Sequence, residues 1–60
     1  MLPTPEEKQY ILELVQELKE YVRDLPKLAK EPKYKREMIA DRMIMIKDEL
    51  QYFRRKYPDA

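Results

Sequence analysis

This chain of 60 residues contains no cysteine, no histidine, no glycine and no tryptophan. Without cysteine or histidine there is no disulfide, no thiolate nucleophile, no imidazole base and no usual zinc ligand. Without glycine there are no Gly-rich loops to cradle phosphate groups and no tight glycine hairpins. These absences exclude most enzyme classes, so we expect no catalytic site, no cofactor and no metal site.

Charged side chains are abundant, but the two signs are balanced. Thirteen Lys and Arg stand against twelve Asp and Glu, which gives a net charge of +1. The most basic segment, residues 26–36, follows residues 1–25, in which six acidic side chains outnumber three basic ones. Nucleic-acid readers generally carry a strongly basic domain, so we interpret segment 26–36 as a solvated loop and predict no nucleic-acid partner.

No segment of the sequence has the character of a membrane span. The longest apolar run, Met43 to Ile46, is four residues long, whereas a helix needs about 20 to cross a bilayer. Residues 1–7 also lack the basic and apolar regions of a secretory signal. We therefore expect a soluble, cytoplasmic chain with no membrane partner.

The first helix is predicted at residues 5–24. Thr4 is a hydroxyl N-cap followed by proline, and Glu7 lies three residues further on, as in a capping box. Apolar residues then recur at spacings of three and four, the period of one helical face: Ile11, Leu14, Val15, Leu18, Tyr21, Val22 and Leu25. Pro26 disfavours helical geometry at Leu25, so the helix should end there.

The second helix is predicted at residues 33–57 and carries the strongest periodic signal. Its apolar residues step by 4, 3, 4, 3 and 4, as in a heptad seam: Ile39, Met43, Ile46, Leu50, Phe53 and Tyr57. Pro58 cannot continue the helix. The joint at residues 25–32 contains two prolines, and one extra short helical turn at 26–31 stays open.

These elements predict one all-α domain over residues 1–60, an antiparallel two-helix hairpin that assembles into a helical bundle. In the antiparallel register, Glu17 comes to face Arg42 and Asp24 comes to face Lys35. Opposite charges meet in both pairs, so they favour this register over others.

More apolar side chains are present than two helices can cover. Residues 38–46 place Met or Ile around most of the second helix, whereas a solvated helix needs an apolar arc of only about 100°. A two-helix hairpin of this size is also marginally stable alone. We expect the surplus residues to form an assembly face: Val15, Val22, Met38, Ile44, Met45 and Tyr52.

The predicted function is therefore structural: a self-assembling homo-oligomer without catalytic activity, whose partner is itself. A symmetric dimer forming a four-helix bundle is favoured because closed two-fold dimers are the commonest oligomers. A ring of hairpins is the other self-associating arrangement, because apolar residues on opposite flanks of the hairpin could dock head to tail around a closed axis. The alternatives are a small binding module that presents the Met and Tyr face of the second helix to another protein, and a compact monomer.

Carboxylates that share one side of a helix are candidate metal ligands. Glu13, Glu17 and Glu20 share one side of the first helix, and Asp41 and Asp48 repeat at seven residues on the second. Carboxylate di-metal bundles use a Glu-x-x-His pattern, and this chain has no histidine. We interpret these acids as solvated helix faces.

In style the sequence resembles computationally designed helical proteins. The similarity lies in Thr4-Pro5-Glu6-Glu7 at a helix start, in helix surfaces rich in glutamate and lysine, and in the prolines at the joint. It covers the whole chain, but it is one of composition and capping, and these residues match no natural family. The resemblance implies a chain whose role is to adopt a specified fold and assemble.

Overall fold

A computed structural model describes residues 2–58 as three α-helices: α1 (Pro5–Arg23), α2 (Leu25–Leu28) and α3 (Lys33–Lys56). The two long helices pack against each other in opposite directions, so the molecule is a rod measuring 43 × 16 × 15 Å. The described residues contain no β-strand. The predicted all-α hairpin is therefore confirmed.

The start of α1 is fixed by the predicted capping box. Thr4 Oγ1 accepts a hydrogen bond from the Glu7 amide at 3.1 Å, and Glu7 Oε1 accepts one from the Thr4 amide at 3.1 Å. Each bond satisfies an N–H group that the first helical turn leaves without a partner. The helix ends at Arg23, one residue before the predicted end.

The joint contains the short helical turn that the sequence left open, but the turn begins earlier than expected. Leu25, predicted to be non-helical, is the first residue of α2, and Pro26 is the second. Proline is tolerated there because the first helical amides have no acceptor within the helix. The carbonyl oxygen of Asp24 accepts from the amides of Lys27 and Leu28, both at 2.9 Å, and so connects α1 to α2.

The two ends of α3 differ from the start of α1. Pro32 is the N-cap, and no side chain caps this end. At the other end the helix finishes at Lys56, one residue before the predicted end, because Pro58 disfavours helical geometry at Tyr57. The amide of Tyr57 still donates to the carbonyl oxygen of Phe53 at 2.8 Å, so its side chain continues the line of the seam.

The core between α1 and α3 is small. Among the described residues, only Leu14, Ile46 and Tyr57 are buried apolar residues, with exposures of 2%, 0% and 6%. The other seam residues of α3 are half-buried: Ile39, Met43, Leu50 and Phe53. Leu25, assigned to the seam by its spacing, is 47% exposed because it lies in α2.

Candidate interaction surface

Polar contacts between α1 and α3 cross one side of the seam. Arg42 donates two hydrogen bonds to the Glu17 carboxylate, from Nε to Oε2 at 2.5 Å and from Nη2 to Oε1 at 3.0 Å. These bonds hold the pKa of Glu17 below its usual range. The Tyr10 hydroxyl donates to Glu49 Oε1 at 2.7 Å, and this bond raises the pKa of Tyr10. The expected Glu17–Arg42 pair is confirmed.

The second expected pair, Asp24 with Lys35, is wrong. Arg23 Nε lies 3.6 Å from Asp24 Oδ1, and Lys35 Nζ lies 3.7 Å from Glu31 Oε2. Because α1 ends at Arg23, Asp24 leaves the heptad register that would have placed it opposite Lys35. Each of the two residues therefore pairs with a neighbour along the chain.

A cluster around Glu7 ties the start of α1 to the end of α3. Besides its bond from the Thr4 amide, Glu7 Oε1 accepts from the Tyr57 hydroxyl at 2.6 Å, and Oε2 accepts from Lys56 Nζ at 3.3 Å. The bond from Tyr57 does most to lower the pKa of Glu7, which falls to about 2. The same bond raises the pKa of Tyr57, and it gives the hydroxyl group of this buried residue a hydrogen-bond partner.

Three exposed side chains of α3, Met38, Met45 and Tyr52, border these polar contacts. The sulfur of Met45 accepts a hydrogen bond from Arg42 Nη1 at 3.4 Å, and Lys56 Nζ lies 5.8 Å from the centre of the Tyr52 ring. Met38 lies one heptad before Met45, so the helical period places it on the same side. The Met and Tyr row and the polar contacts therefore form one surface.

We name this surface the acidic flank. It consists of one stripe on each long helix, with steps of four and three: Glu6, Tyr10, Glu13, Glu17 and Glu20 on α1, and Met38, Arg42, Met45, Glu49, Tyr52 and Lys56 on α3.

The opposite side of the seam opens into an apolar groove of about 650 Å³ at the open end of the hairpin. Lys8 and Leu12 of α1 and Leu50 and Arg54 of α3 are among the residues that line it. No polar contact between α1 and α3 is found on this side among residues 2–58. The groove therefore leaves apolar surface of both helices uncovered.

We name this second surface the basic flank. It too consists of one stripe on each long helix with steps of four and three: Lys8, Leu12, Val15, Lys19 and Val22 on α1, and Ala40, Ile44, Lys47, Gln51 and Arg54 on α3.

At the closed end of the hairpin, Leu28 of α2 folds back against α3. It is half-buried and lines a cavity of about 280 Å³ together with Ile39, Ala40 and Met43. Ala40 belongs to the basic flank, so this flank has recessed apolar surface at both of its ends.

The six residues predicted for an assembly face lie on both flanks. Val15, Val22 and Ile44 are on the basic flank, and Met38, Met45 and Tyr52 are on the acidic flank. All are exposed except Val15, which is half-buried. They therefore form two separate apolar surfaces and not one.

The sequence interpretation missed Leu12, which is exposed and lines the groove of the basic flank. Leu12 lies beside the seam residue Ile11 and outside the seam itself, so the search for core positions passed over it. The signal that finds it is the stripe of alternating four and three steps that runs from Lys8 to Val22.

The carboxylates do not gather into a metal site. Within residues 2–58, no group of three or more His, Cys, Asp or Glu is placed to hold a metal ion. Glu49 has one carboxylate oxygen that could still act as a ligand. Its Oε2 is buried without a hydrogen-bond partner, while its Oε1 accepts from Tyr10. A single carboxylate oxygen is too few donors for a cation site.

The chain matches no protein-family model, no curated protein and no solved structure. Among the described residues, no helix has both the length and the apolar character that a bilayer crossing requires.

Proposed function

We propose that the protein is a structural, self-assembling helical protein whose partner is a second copy of the same chain. The observation that carries this proposal is the imbalance between covered and uncovered apolar side chains. Ten large apolar residues in the described chain are at least 40% exposed, whereas three are buried. Apolar surface of this extent on a small protein marks an interaction site.

The area of the chain supports the same conclusion. Its accessible surface is 5179 Å², whereas a compact monomer of this mass exposes about 4,200 Å². The excess of about 1,000 Å² is close to the roughly 800 Å² that each partner buries in a stable interface. One interface with another copy would therefore remove the excess.

Two arrangements satisfy the proposal. A two-fold dimer of hairpins makes a four-helix bundle and is the simplest closed assembly. A ring uses two different surfaces of each copy, and this hairpin has an apolar surface on either side of its seam. In both arrangements the assembly is the function, and no reaction is catalysed.

A second candidate function is recognition of a foreign protein. It is favoured by the row formed by Met38, Met45 and Tyr52, each at least half exposed. Met and Tyr are enriched in protein interfaces, and a rigid helix row of this kind suits a small binding module. In this case the chain would be a monomer that retains its full helicity.

The absolute mass in solution tests the proposal. We would measure it by light scattering after size exclusion over a wide dilution series, with far-ultraviolet circular dichroism on the same samples. Self-assembly predicts an integer multiple of 7.4 kDa at high concentration, and loss of mass and helicity together on dilution. A helical monomer of 7.4 kDa at every concentration would contradict self-assembly and favour the binding module.

A further inference from the structure

We propose that the two flanks bind each other: the basic flank of one copy docks on the acidic flank of the next, head to tail. This inference rests on the self-assembly proposed above and names the surfaces that carry it. Charge is distributed unequally between the two sides of the seam, although the overall charge of the chain is only +1.

The named residues of the basic flank carry four positive charges and no negative one, and the two residues that continue its stripe to the start of α3, Lys33 and Glu37, form an ion pair at 3.9 Å. The four cations alternate along the two stripes with the apolar residues of the flank: Lys8, Lys19, Lys47 and Arg54. None of the four forms an ion pair with another residue of the described chain. The apolar centre consists of Leu12, Val15, Val22, Ala40 and Ile44. The flank therefore combines apolar side chains with four unpaired cations.

The acidic flank carries the opposite charge. Five of its residues are glutamates and two are cations, which gives a net charge of −3. Both cations are used within the chain, because Arg42 pairs with Glu17 and Lys56 pairs with Glu7. Four of the five glutamates have no ion-pair partner within residues 2–58. Glu49 accepts from the Tyr10 hydroxyl, and the other three are exposed: Glu6, Glu13 and Glu20. They face solvent beside the Met and Tyr row.

The opposite signs favour contact between unlike flanks. A two-fold dimer sets a surface against its own copy, so docking through the basic flank would bring eight cations together with no acid between them. Docking of unlike flanks sets an apolar centre against an apolar row and cationic groups against glutamates. Because the two flanks lie on opposite sides of the hairpin, each copy can bind two neighbours. Such contacts close into a ring where the rotation between neighbours closes, and otherwise extend into an open filament.

Two neighbouring residues of α3 make a decisive test. Ile44, on the basic flank, is 58% exposed, and Met45, on the acidic flank, is 50% exposed. The variant Ile44→Glu would place an acid where the acidic flank of a neighbour docks, and Met45→Lys would place a cation where the basic flank docks. Because both side chains are exposed, neither substitution should unfold the hairpin, and circular dichroism would check this.

Head-to-tail docking predicts that each variant alone is a 7.4 kDa monomer, and that an equimolar mixture forms a 1:1 heterodimer. In that complex the intact acidic flank of Ile44→Glu binds the intact basic flank of Met45→Lys, and neither chain can add a further copy. The masses would be measured by light scattering at a concentration where the unaltered chain is fully assembled. The variant Gln16→Glu, at an exposed position of α1 outside both flanks, is the control and should assemble normally.

Other outcomes separate this inference from the proposal on which it rests. An unaltered chain that stays monomeric contradicts self-assembly itself. If the unaltered chain assembles and one variant still dimerises alone, the interface is two-fold and the head-to-tail inference is wrong. It is equally wrong if both variants are monomeric and their mixture contains no heterodimer, or if both assemble normally.

Salt gives a second, independent readout. Attraction between flanks of opposite charge is screened by ions, so the apparent dissociation constant of the unaltered chain should rise as sodium chloride increases from about 0.05 to 0.5 M. A two-fold contact between basic flanks would show the reverse, because salt would screen repulsion. A dissociation constant that is constant or falls would therefore overturn the inference.

Discussion

Glu7 takes part both in the local cap of α1 and in a contact with residues that are distant in sequence. One of its carboxylate oxygens closes the capping box of α1 and also accepts from the buried hydroxyl of Tyr57, fifty residues away in sequence. The other accepts from Lys56. The ionised carboxylate accepts these bonds more strongly than a neutral carboxyl group would, which is why the pKa of Glu7 falls to about 2. The open end of the hairpin therefore depends on a single negative charge.

This dependence predicts acid sensitivity in a defined range of pH. The pKa of Glu7 is about 2 in the folded chain, whereas a glutamate without these partners has a pKa of 4.5. As the pH falls, the unfolded chain therefore takes up the proton first. The stabilisation by Glu7 should be fully present above about pH 5 and should be lost between there and pH 2. Urea denaturation at a series of pH values, followed by circular dichroism, measures this loss.

The matched variant is Glu7→Gln, which keeps the shape of the side chain but cannot ionise. We expect it to be less stable than the unaltered chain at pH 7 and to show a smaller decrease in stability between pH 5 and pH 2. Substitution of the exposed Glu6 by Gln is the control. If Glu7→Gln still shows the full acid-induced loss of stability, a different carboxylate is responsible for the acid sensitivity. Glu17 is the next candidate because its pKa is also lowered.

At the scale of the elements, the two long helices begin very differently. The first turn of α1 has two acidic residues and a side-chain cap, whereas the first turn of α3 has no acidic residue and begins with Lys33 after an uncapped Pro32. Cations are unfavourable at a helix N-terminus because its free N–H groups carry positive partial charge. The start of α3 is therefore the weaker of the two.

This weakness can be tested by adding the missing cap. Pro32 has φ −56° and ψ 153°, an extended conformation in which an aspartate side chain can reach the free amides. The variant Pro32→Asp should exceed Pro32→Ala in free energy of unfolding by about 1 kcal/mol. Comparison with alanine removes the effect of losing the proline ring from the difference. Equal stabilities in urea denaturation would show that α3 does not fray at this end.

The elements also show what could be derived from sequence. The capping box and the prolines placed the ends of the two long helices to within a residue, because each signal acts locally. Leu25 continues the spacing of Leu18 as well, yet it is exposed, because the break at Asp24 turns the following residues out of register. A periodic pattern describes a face only as long as the helix that carries it continues.

At the scale of the whole molecule, the heptad positions already place Val22 and Met45 on different flanks of the hairpin, although the six assembly residues were predicted as one face. What the sequence does not state is which charged side chains lie beside each apolar group, because that depends on the position of the partner helix. The charge separation is likewise hidden, because glutamates of one stripe and lysines of the other alternate along α1. The hairpin sorts them to opposite sides.

The shape of the molecule links its stability to its concentration. A rod with three buried apolar side chains has little core of its own, so the free energy of assembly should contribute to folding. For a dimer, tenfold dilution lowers that free energy by about 1.4 kcal/mol, and with the usual entropy of unfolding for 120 residues the Tm should fall by about 5 °C. A larger ring should show a greater decrease.

Thermal melts monitored by circular dichroism over a hundredfold range of concentration measure this shift. The double variant Ile44→Glu/Met45→Lys blocks both flanks and leaves Leu14 and Ile46 untouched, so its Tm should be lower than that of the unaltered chain and independent of concentration. A constant Tm for the unaltered chain as well would show that the small core is sufficient alone. The exposed apolar side chains would then serve a partner other than a second copy.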